Sequence, residues 1–427
     1  MPLPEIIEIH PVARPVRAEV TVPGSKSLTN RALVLAALGR GTTELRHALW
    51  SEDTQVMVDC LSQLGFSARV AADETEAGNR NITVAGLNGK IPRSGTQAEP
   101  LPLFVGNAGT AARFLAALVC LGKGYYRLAG VQRMHERPQC ALFQALRQLG
   151  YEVQSTQDKL PATVRGDGAR AGACIVSIEE SSQFASALIL AGEAGGWSVQ
   201  IVGENSEESP YVAMTTELRK AFPQNGGVFP IEPDASSASY IWGAEWLLKR
   251  FPETAGSSVR VAGSMRDSLQ IDSFFPGVID RFPAQISRRD QLGDSIMTAI
   301  VLAPFADGPK EFTELGRLRV QECERVEALR AELTKCGGKI EETGESLKVF
   351  PSALRGATIE TYQDHRMAMC FGTLALKVAG IKIKNPACVK KTFPNFFQKL
   401  AAAPPAGLGA RITDAMTGRF LKGADLE

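Results

Sequence analysis

The stretch VPGSKSLTNRALVLAALGRG, residues 22–41, predicts a buried helix that begins beside two cations. Small and apolar residues follow one another almost without a break up to Gly39, and a helix of this composition is buried nearly all round. Its first N–H groups carry roughly half a unit of positive charge from the macrodipole. That partial charge lies beside Lys26, Ser27 and Arg31. The stretch therefore predicts a site for an anion.

Two other interpretations of this stretch have to be weighed. A nucleotide-binding P-loop is excluded by its spelling, because Lys26 follows Ser25 instead of a glycine and no glycine stands at the required distance upstream. A plain capped core helix stays open at this point. The prediction of an anion site therefore depends on what recurs elsewhere in the chain.

The composition is typical of a globular protein with more than one domain. The chain has 427 residues, 44% hydrophobic and 22% charged, so we expect two or three domains. Its net charge of +1 gives no overall field to attract nucleic acid or an anionic membrane, and we expect neither as a partner. The longest apolar runs are too short to cross a bilayer and no targeting sequence is recognisable, so we expect a cytoplasmic protein.

Neither the cysteines nor the histidines indicate a metal site. The eight cysteines are scattered without a C-x-x-C pair, and we interpret them as reduced core thiols. The four histidines are not closely paired. The sequence therefore predicts no bound metal.

A small-residue loop followed by a short apolar helix recurs along the chain, which indicates repetition of one supersecondary unit. The predicted helices of this kind, which we call inner helices, cover residues 22–41, 106–122, 181–192, 234–248, 293–305 and 364–380. Amphipathic outer helices are predicted between them, at residues 54–66, 139–153, 211–222, 271–282, 325–342 and 395–402. Alternating stretches such as residues 81–86 and 258–263 predict short strands.

Six such units predict an α/β protein of two domains with three units each, and an anion site in the cleft between the domains. The boundary is expected near residues 232–234, after the stretch PQNGGVFPIEPD, which has the composition of a loop. The strand-like EIIEIHPV precedes the first unit, so we assign the N-terminus to the second domain. The predicted domains are residues 23–233 and residues 1–22 plus 234–427, joined by two crossings that act as a hinge.

Cations recur at the helix starts and in the tight loops. Charged side chains are usually solvated surface groups, but these adjoin small-residue loops: Lys26, Arg31, Arg113, Arg133, Arg137, Arg325, Arg366 and Lys391. The acid/base candidates in similar loops are Asp294, Glu322 and Asp364. A helix N-cap is an equally good interpretation of Asp364 and of Asp234. For Glu322 the alternative is an ion pair with Arg325.

The motifs PGSKSLTNR, GNAGTAAR, RMHERP, SSQF, DASSAS, RVQECER, DHRMAM and KTFP occur in this order between residues 22 and 399. Together they resemble the 5-enolpyruvylshikimate-3-phosphate (EPSP) synthase family, the 3-phosphoshikimate 1-carboxyvinyltransferases. Each motif alone has little specificity, but eight motifs in the right order make a chance match very improbable.

This resemblance implies an inside-out α/β fold of two domains, each built from three βα repeats, with the active site in the interdomain cleft. It implies transfer of the enolpyruvyl group of phosphoenolpyruvate to the 5-hydroxyl of shikimate 3-phosphate with release of phosphate, on the route to chorismate and the aromatic amino acids. No metal or organic cofactor is implied, and glyphosate competes for the phosphoenolpyruvate site in this family. We expect a monomer whose partners are these two small molecules.

The resemblance also implies a role for each matching residue. The implied contacts of shikimate 3-phosphate are Lys26, Ser27, Arg31, Ser181, Ser182, Gln183, Tyr211, Asp294 and Gln321. Those of phosphoenolpyruvate are Lys26, Asn107, Gly109, Thr110, Arg133, Gln183, Glu322, Arg325, Arg366 and Lys391. The implied catalytic groups are Asp294, which accepts the proton of the attacking hydroxyl, and Glu322 with Lys26, which exchange a proton with the methylene carbon.

Several positions depart from the family's pattern. Gln321 stands where a lysine is usual, and Arg317, itself a departure, and Arg319 are candidates to replace that charge. Glu208 takes the place of a phosphate-binding serine, and Phe114 stands where many relatives have proline. These departures leave the shikimate contacts near residue 321 and the response to glyphosate open.

Two alternative functions stay open as well. An enolpyruvyl transferase of the same fold that acts on UDP-N-acetylglucosamine typically reads GSKN where this chain reads GSKS, and it carries a reactive cysteine in a mobile loop for which we find no counterpart. A catalytically inactive phosphosugar-binding protein is conceivable because of Gln321 and Glu208, but the retained Asp294, Glu322 and Lys26 argue against it.

Overall fold

The computed structural model describes residues 3–203, 209–263 and 268–426, so Glu208 lies outside the described residues. The α-helices of this part of the chain are α1 Lys26–Leu38, α2 Glu52–Gln63, α3 Gly109–Leu118, α4 Gln132–Glu136, α5 Cys140–Gln148, α6 Ser182–Gly195, α7 Ser209–Ala221, α8 Ala235–Leu248, α9 Phe275–Arg281, α10 Ile296–Leu302, α11 Arg325–Lys335, α12 His365–Leu374 and α13 Phe396–Ala401.

The β-strands of the same part of the chain are short and spread over its whole length. They are β1 Ile6–His10, β2 Arg17–Val20, β3 Arg40–Leu49, β4 Ala68–Ala72, β5 Asn79–Leu87, β6 Leu101–Phe104, β7 Lys123–Ala129, β8 Glu152–Ser155, β9 Ala162–Asp167, β10 Gly172–Ser177, β11 Trp197–Val202, β12 Gly227–Pro230, β13 Ser258–Val261, β14 Gln285–Ser287, β15 Lys310–Thr313, β16 Lys339–Thr343, β17 Ser346–Phe350, β18 Thr358–Ile359, β19 Lys382–Lys384 and β20 Arg411–Asp414.

The chain divides into two compact units. The continuous unit is Gly24–Glu232, and the discontinuous unit is Met1–Pro23 with Pro233–Glu427. Each unit has a hydrophobic core of its own. The unit limits differ by one residue at each crossing from the predicted domains, residues 23–233 and residues 1–22 plus 234–427.

Within the described residues, each unit contains two four-stranded sheets and one parallel pair of strands. The continuous unit has the orders β12-β3-β5-β4 and β6-β7-β9-β8 with the pair β10-β11; the discontinuous unit has β14-β15-β17-β16 and β18-β19-β1-β20 with the pair β13-β2. In each four-stranded sheet the first contact is parallel and the other two are antiparallel. This shared pattern confirms that the chain repeats one structural unit.

Each parallel pair is associated with one inner helix. The chain runs β6–α3–β7, β10–α6–β11, β14–α10–β15 and β18–α12–β19. At the two crossings the order changes, because β2 leads into α1 of the continuous unit and β12 leads into α8 of the discontinuous unit. Both strands nevertheless pair inside their own unit, β2 with β13 and β12 with β3. At both crossings the chain therefore passes from one unit to the other between a strand and the inner helix that follows it.

The inner helices are buried, as their composition predicts. Eleven of the thirteen residues of α1 are buried, and so are all ten of α3. Small side chains let α1, α3 and α6 contact one another in the continuous unit, and α8, α10 and α12 do the same in the discontinuous unit. The helix predicted within residues 22–41 is thus confirmed. Among the described residues, no helix has the length and apolarity that a bilayer span requires.

Two predictions of local structure are wrong. The stretch expected to be a loop contains β12, a short strand whose partner β3 lies almost two hundred residues earlier in the chain. The outer helix predicted over residues 325–342 ends at Lys335, and its last residues form β16 instead. Gly337, whose φ is +88°, ends the helix there. Distant strand pairing decides the conformation of β12, which local patterns do not record, whereas β16 forms a hairpin with the next strand, β17.

Glycines in the sheets allow the inner helices to approach them closely. At Gly86 in β5 a Cβ atom would lie 2.5 Å from the carbonyl oxygens of Ala36 and Gly39, at the end of α1. At Gly166 in β9 it would lie 2.3 Å from the carbonyl oxygen of Val119, just after α3. Glycine is therefore required where a sheet meets the end of an inner helix.

We expect Gly86→Ala to lower the free energy of unfolding by about 1–3 kcal/mol, because the backbone carbonyl groups in its way cannot move as a side-chain end can. Denaturation in urea measures the change. Gly277→Ala is the control: Gly277 is exposed within α9 and has nothing within 4 Å of an added Cβ, so stability should be unchanged or higher. Wild-type stability of Gly86→Ala would contradict the inferred contact.

Candidate active site

In the continuous unit, side-chain hydrogen bonds join the first turns of the three inner helices. The Asn30 side chain of α1 donates to the hydroxyl of Thr110 in α3, at 2.9 Å. The guanidinium of Arg113 in α3 donates to the side-chain oxygen of Gln183 in α6, at 3.2 Å. The N-termini of α1, α3 and α6 therefore lie at the same end of this unit.

Arg31 is buried between these helices, with 1% of the residue exposed. Its Nε donates to the Thr215 hydroxyl at 2.7 Å, and its Nη2 donates to the Ser186 hydroxyl at 3.2 Å. Its Nη1 donates to the backbone oxygen of Ser27 at 2.9 Å, and its guanidinium carbon lies 5.3 Å from the centre of the Phe114 ring. Arg31 thus connects α1 to α6 and α7, and it shapes the interior of the unit.

Lys26 and the serines of α6 occupy the ends of the same helices. Lys26 Nζ lies 3.1 Å from Asp53 Oδ2, and the lysine side chain is 20% exposed. The Ser181 hydroxyl accepts a hydrogen bond from the backbone N–H of Gln183 and so caps α6, with Ser182 buried as the first residue of the helix. Tyr211 lies in α7, where its carbonyl oxygen accepts a hydrogen bond from the Thr215 hydroxyl.

Two guanidinium groups lie against the start of α3. Arg137 donates to the backbone oxygen of Asn107 at 3.3 Å, and Arg113 donates to the backbone oxygen of Pro138 at 2.9 Å. A Cβ atom at Gly109 would lie 2.5 Å from Arg113 Nη1 and 2.8 Å from Arg137 Nη2. Glycine at position 109 is therefore needed for this placement of the arginines.

Arg133 of α4 has a more exposed environment than these residues. Its Nη1 lies 2.9 Å from Glu136 Oε2, and about half of each of these side chains is exposed. The bond from Gly130 N–H to His135 Nε2, 3.1 Å long, holds the helix against the end of β7. Arg133 is thus placed on a short helix whose start is fixed.

In the discontinuous unit, Asp294 lies at the centre of a group of arginines. Its Oδ1 accepts hydrogen bonds from Arg288 Nη2 at 3.0 Å and from Gln321 Nε2 at 3.5 Å. Its Oδ2 lies 3.2 Å from Arg366 Nε and 3.4 Å from Arg325 Nη1. The carboxylate precedes α10 and is 15% exposed.

Arg325 links Asp294 to two further carboxylates. Its Nε donates to Asp364 Oδ2 at 2.7 Å, and its Nη2 lies 2.9 Å from Glu322 Oε2. Glu322 Oε1 in turn lies 3.3 Å from Lys391 Nζ, so the predicted ion pair of Glu322 with Arg325 is present and a second cation joins it. Gln321 accepts a hydrogen bond from Arg325 as well. These side chains form one connected network.

The network favours the ionised forms of Asp294 and Arg325. Burial by itself raises the pKa of the Asp294 carboxyl, but the charges of Arg366, Arg325 and Arg288 outweigh burial and hold this pKa well below its usual range. Burial by itself lowers the pKa of the Arg325 guanidinium, but its three neighbouring carboxylates outweigh burial and raise it above the ordinary value. While the arginines contact it, Asp294 is therefore a weak base.

The two units differ in what satisfies the first N–H groups of their inner helices. In the discontinuous unit the acceptors are carboxylates: Asp234 caps α8, Asp364 caps α12, and Asp272 accepts from the backbone N–H of Ser295, just before α10. The N-cap interpretation of Asp234 and Asp364 is confirmed. In the continuous unit, α6 is capped by the Ser181 hydroxyl, and α1 and α3 have no side-chain cap bond among the described residues. Among the described residues, the inner helices of the continuous unit therefore have no carboxylate caps.

The structure gathers most of the predicted residues into these two groups, one in each unit. The group at the inner-helix starts of the continuous unit contains Lys26, Ser27, Arg31, Asn107, Gly109, Thr110, Ser181, Ser182 and Gln183. The network of the discontinuous unit contains Asp294, Gln321, Glu322, Arg325, Arg366 and Lys391. The sequence analysis missed Asp53, Ser186, Thr215 and Arg288, which no motif singles out.

One of the three arginines beside Asp294 was not among the residues that the sequence analysis singled out. Arg319 was a candidate to replace the missing charge at Gln321, but its guanidinium contacts Glu324 and Glu342. Arg288 lies beside Asp294 instead. No local pattern in the sequence marks this position.

Known proteins are similar to this chain over most of its length. The family model described as EPSP synthase (3-phosphoshikimate 1-carboxyvinyltransferase) matches residues 12–225 and 288–400. The 3-phosphoshikimate 1-carboxyvinyltransferase of Aeromonas salmonicida (strain A449) is 37% identical, with 94% of this chain and 99% of the relative covered. That of Opitutus terrae is 38% identical, with 94% and 98% covered.

Solved structures agree with the fold. An EPSP synthase from Acinetobacter baumannii superimposes with a TM-score of 0.74 at 20% identity, covering 96% of this chain and 99% of that chain. The enolpyruvyl transferase NikO from Streptomyces tendae superimposes with a TM-score of 0.65 at 16% identity, covering 95% and 98%. At these identities the likeness establishes the two-domain α/β fold.

We expect Asp294→Asn to lower the free energy of unfolding by about 3 kcal/mol at pH 7, because three arginines lose a shared negative partner. The pKa of Asp294 is lower in the folded chain than the value of about 3.9 in the unfolded chain. The stabilisation is therefore fully present above that value and is lost as the pH falls towards the folded-state pKa. The difference between wild type and variant should be constant from about pH 5 to pH 8 and shrink at lower pH.

Urea denaturation across this pH range measures the difference. Asp290→Asn is the matched control. Asp290 is exposed, and its ion-pair partner among the described residues is the adjacent Arg289. The control should change stability by less than about 0.5 kcal/mol. Equal stability of Asp294→Asn and wild type at pH 7 would show that the arginines do not depend on this carboxylate.

Proposed function

The chain belongs to the EPSP synthase (3-phosphoshikimate 1-carboxyvinyltransferase) family, and on that premise we propose how its residues transfer the enolpyruvyl group of phosphoenolpyruvate to the 5-hydroxyl of shikimate 3-phosphate. The reaction releases phosphate and serves the shikimate pathway to the aromatic amino acids. The observation that carries the assignment of roles is the position of Asp294, a carboxylate in direct contact with the two arginines expected to bind phosphoenolpyruvate.

The continuous unit binds the phosphate of shikimate 3-phosphate. The supporting observation is that its inner helices start side by side without carboxylate caps, so backbone N–H groups and hydroxyls can meet an anion. The contacts are assigned to Lys26, Ser27, Arg31, Ser181, Ser182, Gln183 and Tyr211, with Gln321 on the other unit. Because Arg31 is 1% exposed and bonded to Thr215 and Ser186, its contribution is mainly to hold this end of α1 in place.

Phosphoenolpyruvate carries a carboxylate and a phosphate, and it needs several cations. Those assigned to it are Arg133 on the continuous unit and Arg325, Arg366 and Lys391 on the discontinuous unit. Asn107, Gly109 and Thr110 at the start of α3 complete its contacts. In the discontinuous unit the cations already face carboxylates, so substrate anions compete for partners that are charged and oriented in advance.

The chemistry needs one proton acceptor for the hydroxyl and one proton donor for the methylene carbon. Asp294 takes the proton of the 5-hydroxyl as its oxygen attacks C2 of phosphoenolpyruvate, while Lys26 or Glu322 gives a proton to C3. The tetrahedral intermediate then loses phosphate from C2 and a proton from C3, which restores the double bond. Asp53 beside Lys26 and Lys391 beside Glu322 provide the charges that keep these two groups in place.

We expect wild-type protein to release phosphate from the two substrates together, and Asp294→Ala or Glu322→Ala to lower turnover by at least about 10²-fold, the usual contribution of one acid or base. A continuous phosphate assay measures the rate. Asp290→Ala and Glu341→Ala, which change exposed carboxylates, are the controls and should keep wild-type turnover.

The same assay separates the alternatives. Phosphate release with UDP-N-acetylglucosamine in place of shikimate 3-phosphate would indicate the related transferase. Binding of both substrates without any release would indicate an inactive binding protein. Near-normal turnover of either alanine variant would remove that residue from the catalytic groups.

We expect Gly109→Ala to raise the KM for phosphoenolpyruvate about tenfold or more and to change the KM for shikimate 3-phosphate less. The added Cβ displaces the guanidinium groups of Arg113 and Arg137 at the start of α3, and small displacements in a binding site have large effects. Steady-state kinetics in both substrates measures the split. Gly277→Ala is the control, and an unchanged KM for phosphoenolpyruvate would contradict the assignment of α3 to this substrate.

Two expectations from the sequence remain predictions, a monomeric state and a cytoplasmic location, and a third matter, the response to glyphosate, stays open. The environment of Phe114 bears on the last of them, because its ring lies against the Arg31 guanidinium instead of at the surface. The side chain at position 114 therefore affects the helix starts from the interior of the unit, through its contact with Arg31.

A further inference from the structure

The two oxygens of Asp294 have different kinds of partners. Oδ2 lies against Arg325 and Arg366, both of which are assigned to phosphoenolpyruvate. Oδ1 accepts from Arg288 and Gln321, and neither of these is assigned to that substrate. Arrival of phosphoenolpyruvate therefore changes the partners of Oδ2, whereas the contact of Oδ1 with Arg288, which is assigned to neither substrate, is kept.

Arg288 is suited to a fixed role. It directly follows β14, and its backbone N–H donates to the carbonyl oxygen of Thr313 at the end of β15, at 3.2 Å. Only 2% of its side chain is exposed, so the guanidinium has little room for another orientation. Because Asp294 lies in the connection from β14 to α10, this arginine and this carboxylate are held by the same parallel strand pair.

We infer that Arg288 is a positioning residue that holds Oδ1 of Asp294 while Oδ2 accepts the proton of the attacking hydroxyl. This inference rests on the proposed function. A base must keep its orientation when its partners change, because proton transfer requires a hydrogen bond to the reacting hydroxyl. With one oxygen bonded to Arg288, the carboxylate can exchange two arginine contacts for one hydroxyl contact without rotating.

The proton balance of the step is simple. The O–H bond of the 5-hydroxyl breaks, its proton goes to Oδ2, and its electron pair forms the bond to C2 of phosphoenolpyruvate. Asp294 is then a neutral carboxylic acid that still accepts the Arg288 hydrogen bond through Oδ1. It returns the proton to the departing phosphate or to water before the next turnover.

Removal of Arg288 should change the pH dependence of kcat, which a loss of packing alone would not do. The groups that face Asp294 are the neutral amide of Gln321 and the cations of Arg288, Arg325 and Arg366. Behind these cations lie further charged groups, which are Glu322, Asp364, Asp272 and Asp234. Once Arg325 and Arg366 turn to the substrate, Arg288 is the cation that still favours the carboxylate form. Without it the pKa of Asp294 rises, and the base is lost at a higher pH than in wild type.

The experiment measures kcat and both KM values for wild type, Arg288→Met, Arg288→Gln and Arg288→Lys between about pH 5 and pH 9. We expect kcat of Arg288→Met to fall about 10–100-fold at pH 8, with little change in the KM for phosphoenolpyruvate. The acid limb of its kcat profile should move to higher pH, so its deficit grows as the pH falls. Arg288→Lys should recover part of kcat and most of the acid limb.

Arg289→Met is the matched control, because Arg289 is the next residue, is 37% exposed and pairs with Asp290 and Glu314. It should keep the wild-type kcat and pH profile. Thermal unfolding of every variant accompanies the kinetics, and Arg288→Gln replaces Arg288→Met if the latter does not fold.

Each outcome either supports or overturns the positioning role of Arg288. A kcat deficit that is constant over pH, or one that appears only in KM, overturns the positioning role, and so do wild-type kinetics of Arg288→Met. Failure of both neutral variants to fold assigns Arg288 to the fold and likewise overturns the inference. If wild type itself releases no phosphate, the proposed function fails, and that result is separate because it is measured before any variant.

Discussion

The first N–H groups of every inner helix need acceptors, and the rest of this structure depends on how that need is met. These helices are buried by their small, apolar side chains, so water does not reach most of their length. The discontinuous unit supplies the carboxylates of Asp234, Asp272 and Asp364. The continuous unit supplies the Ser181 hydroxyl for α6, and among the described residues α1 and α3 have no side-chain cap bond. The same repeat therefore produces two sites whose inner helices are capped in different ways.

Carboxylates at buried helix starts in turn require cations. Asp364 is fully buried, and its partner Arg325 is 1% exposed, so neither charge is compensated by water. A buried pair is stable only if its geometry is good and its remaining donors and acceptors are satisfied. The network meets this condition by sharing Arg325 among Asp364, Glu322 and Asp294. The result is a set of arginines that carboxylates orient before any substrate is present, which is the property that recognition of two anions requires.

Charge sharing also separates the roles of the three arginines at Asp294. Arg325 and Arg366 have other carboxylates nearby and can exchange partners. Arg288 lies in a turn that follows a strand. It contacts Oδ1 of Asp294, whereas Arg325 and Arg366 contact Oδ2. One carboxylate can therefore be held firmly and still change its contacts. Such a combination is difficult to obtain from a single partner.

Much of the fold and part of the site were predictable from the sequence, and the division follows a physical rule. The run of small residues in α1 and the caps made by Asp234 and Asp364 are local: neighbours in the chain determine them, and they were predicted. The strand β12 was missed because its partner β3 is far away in the chain, and β16 was missed because its sequence continues a helical pattern. Arg288 was missed because nothing near it in the chain marks it as part of the site.

The sequence by itself therefore determined the repeated helices, their caps, the motif order and hence the family. Only the tertiary structure decided which cation meets which carboxylate: Arg31 turns to Thr215 and Ser186, Arg319 turns to glutamates, and Arg288 reaches Asp294. Helix periodicity and capping act over a few residues, so their causes lie within a short stretch of chain. Ion pairs act through space between segments that folding brings together, and their energy depends on burial and orientation, which no short stretch of chain specifies.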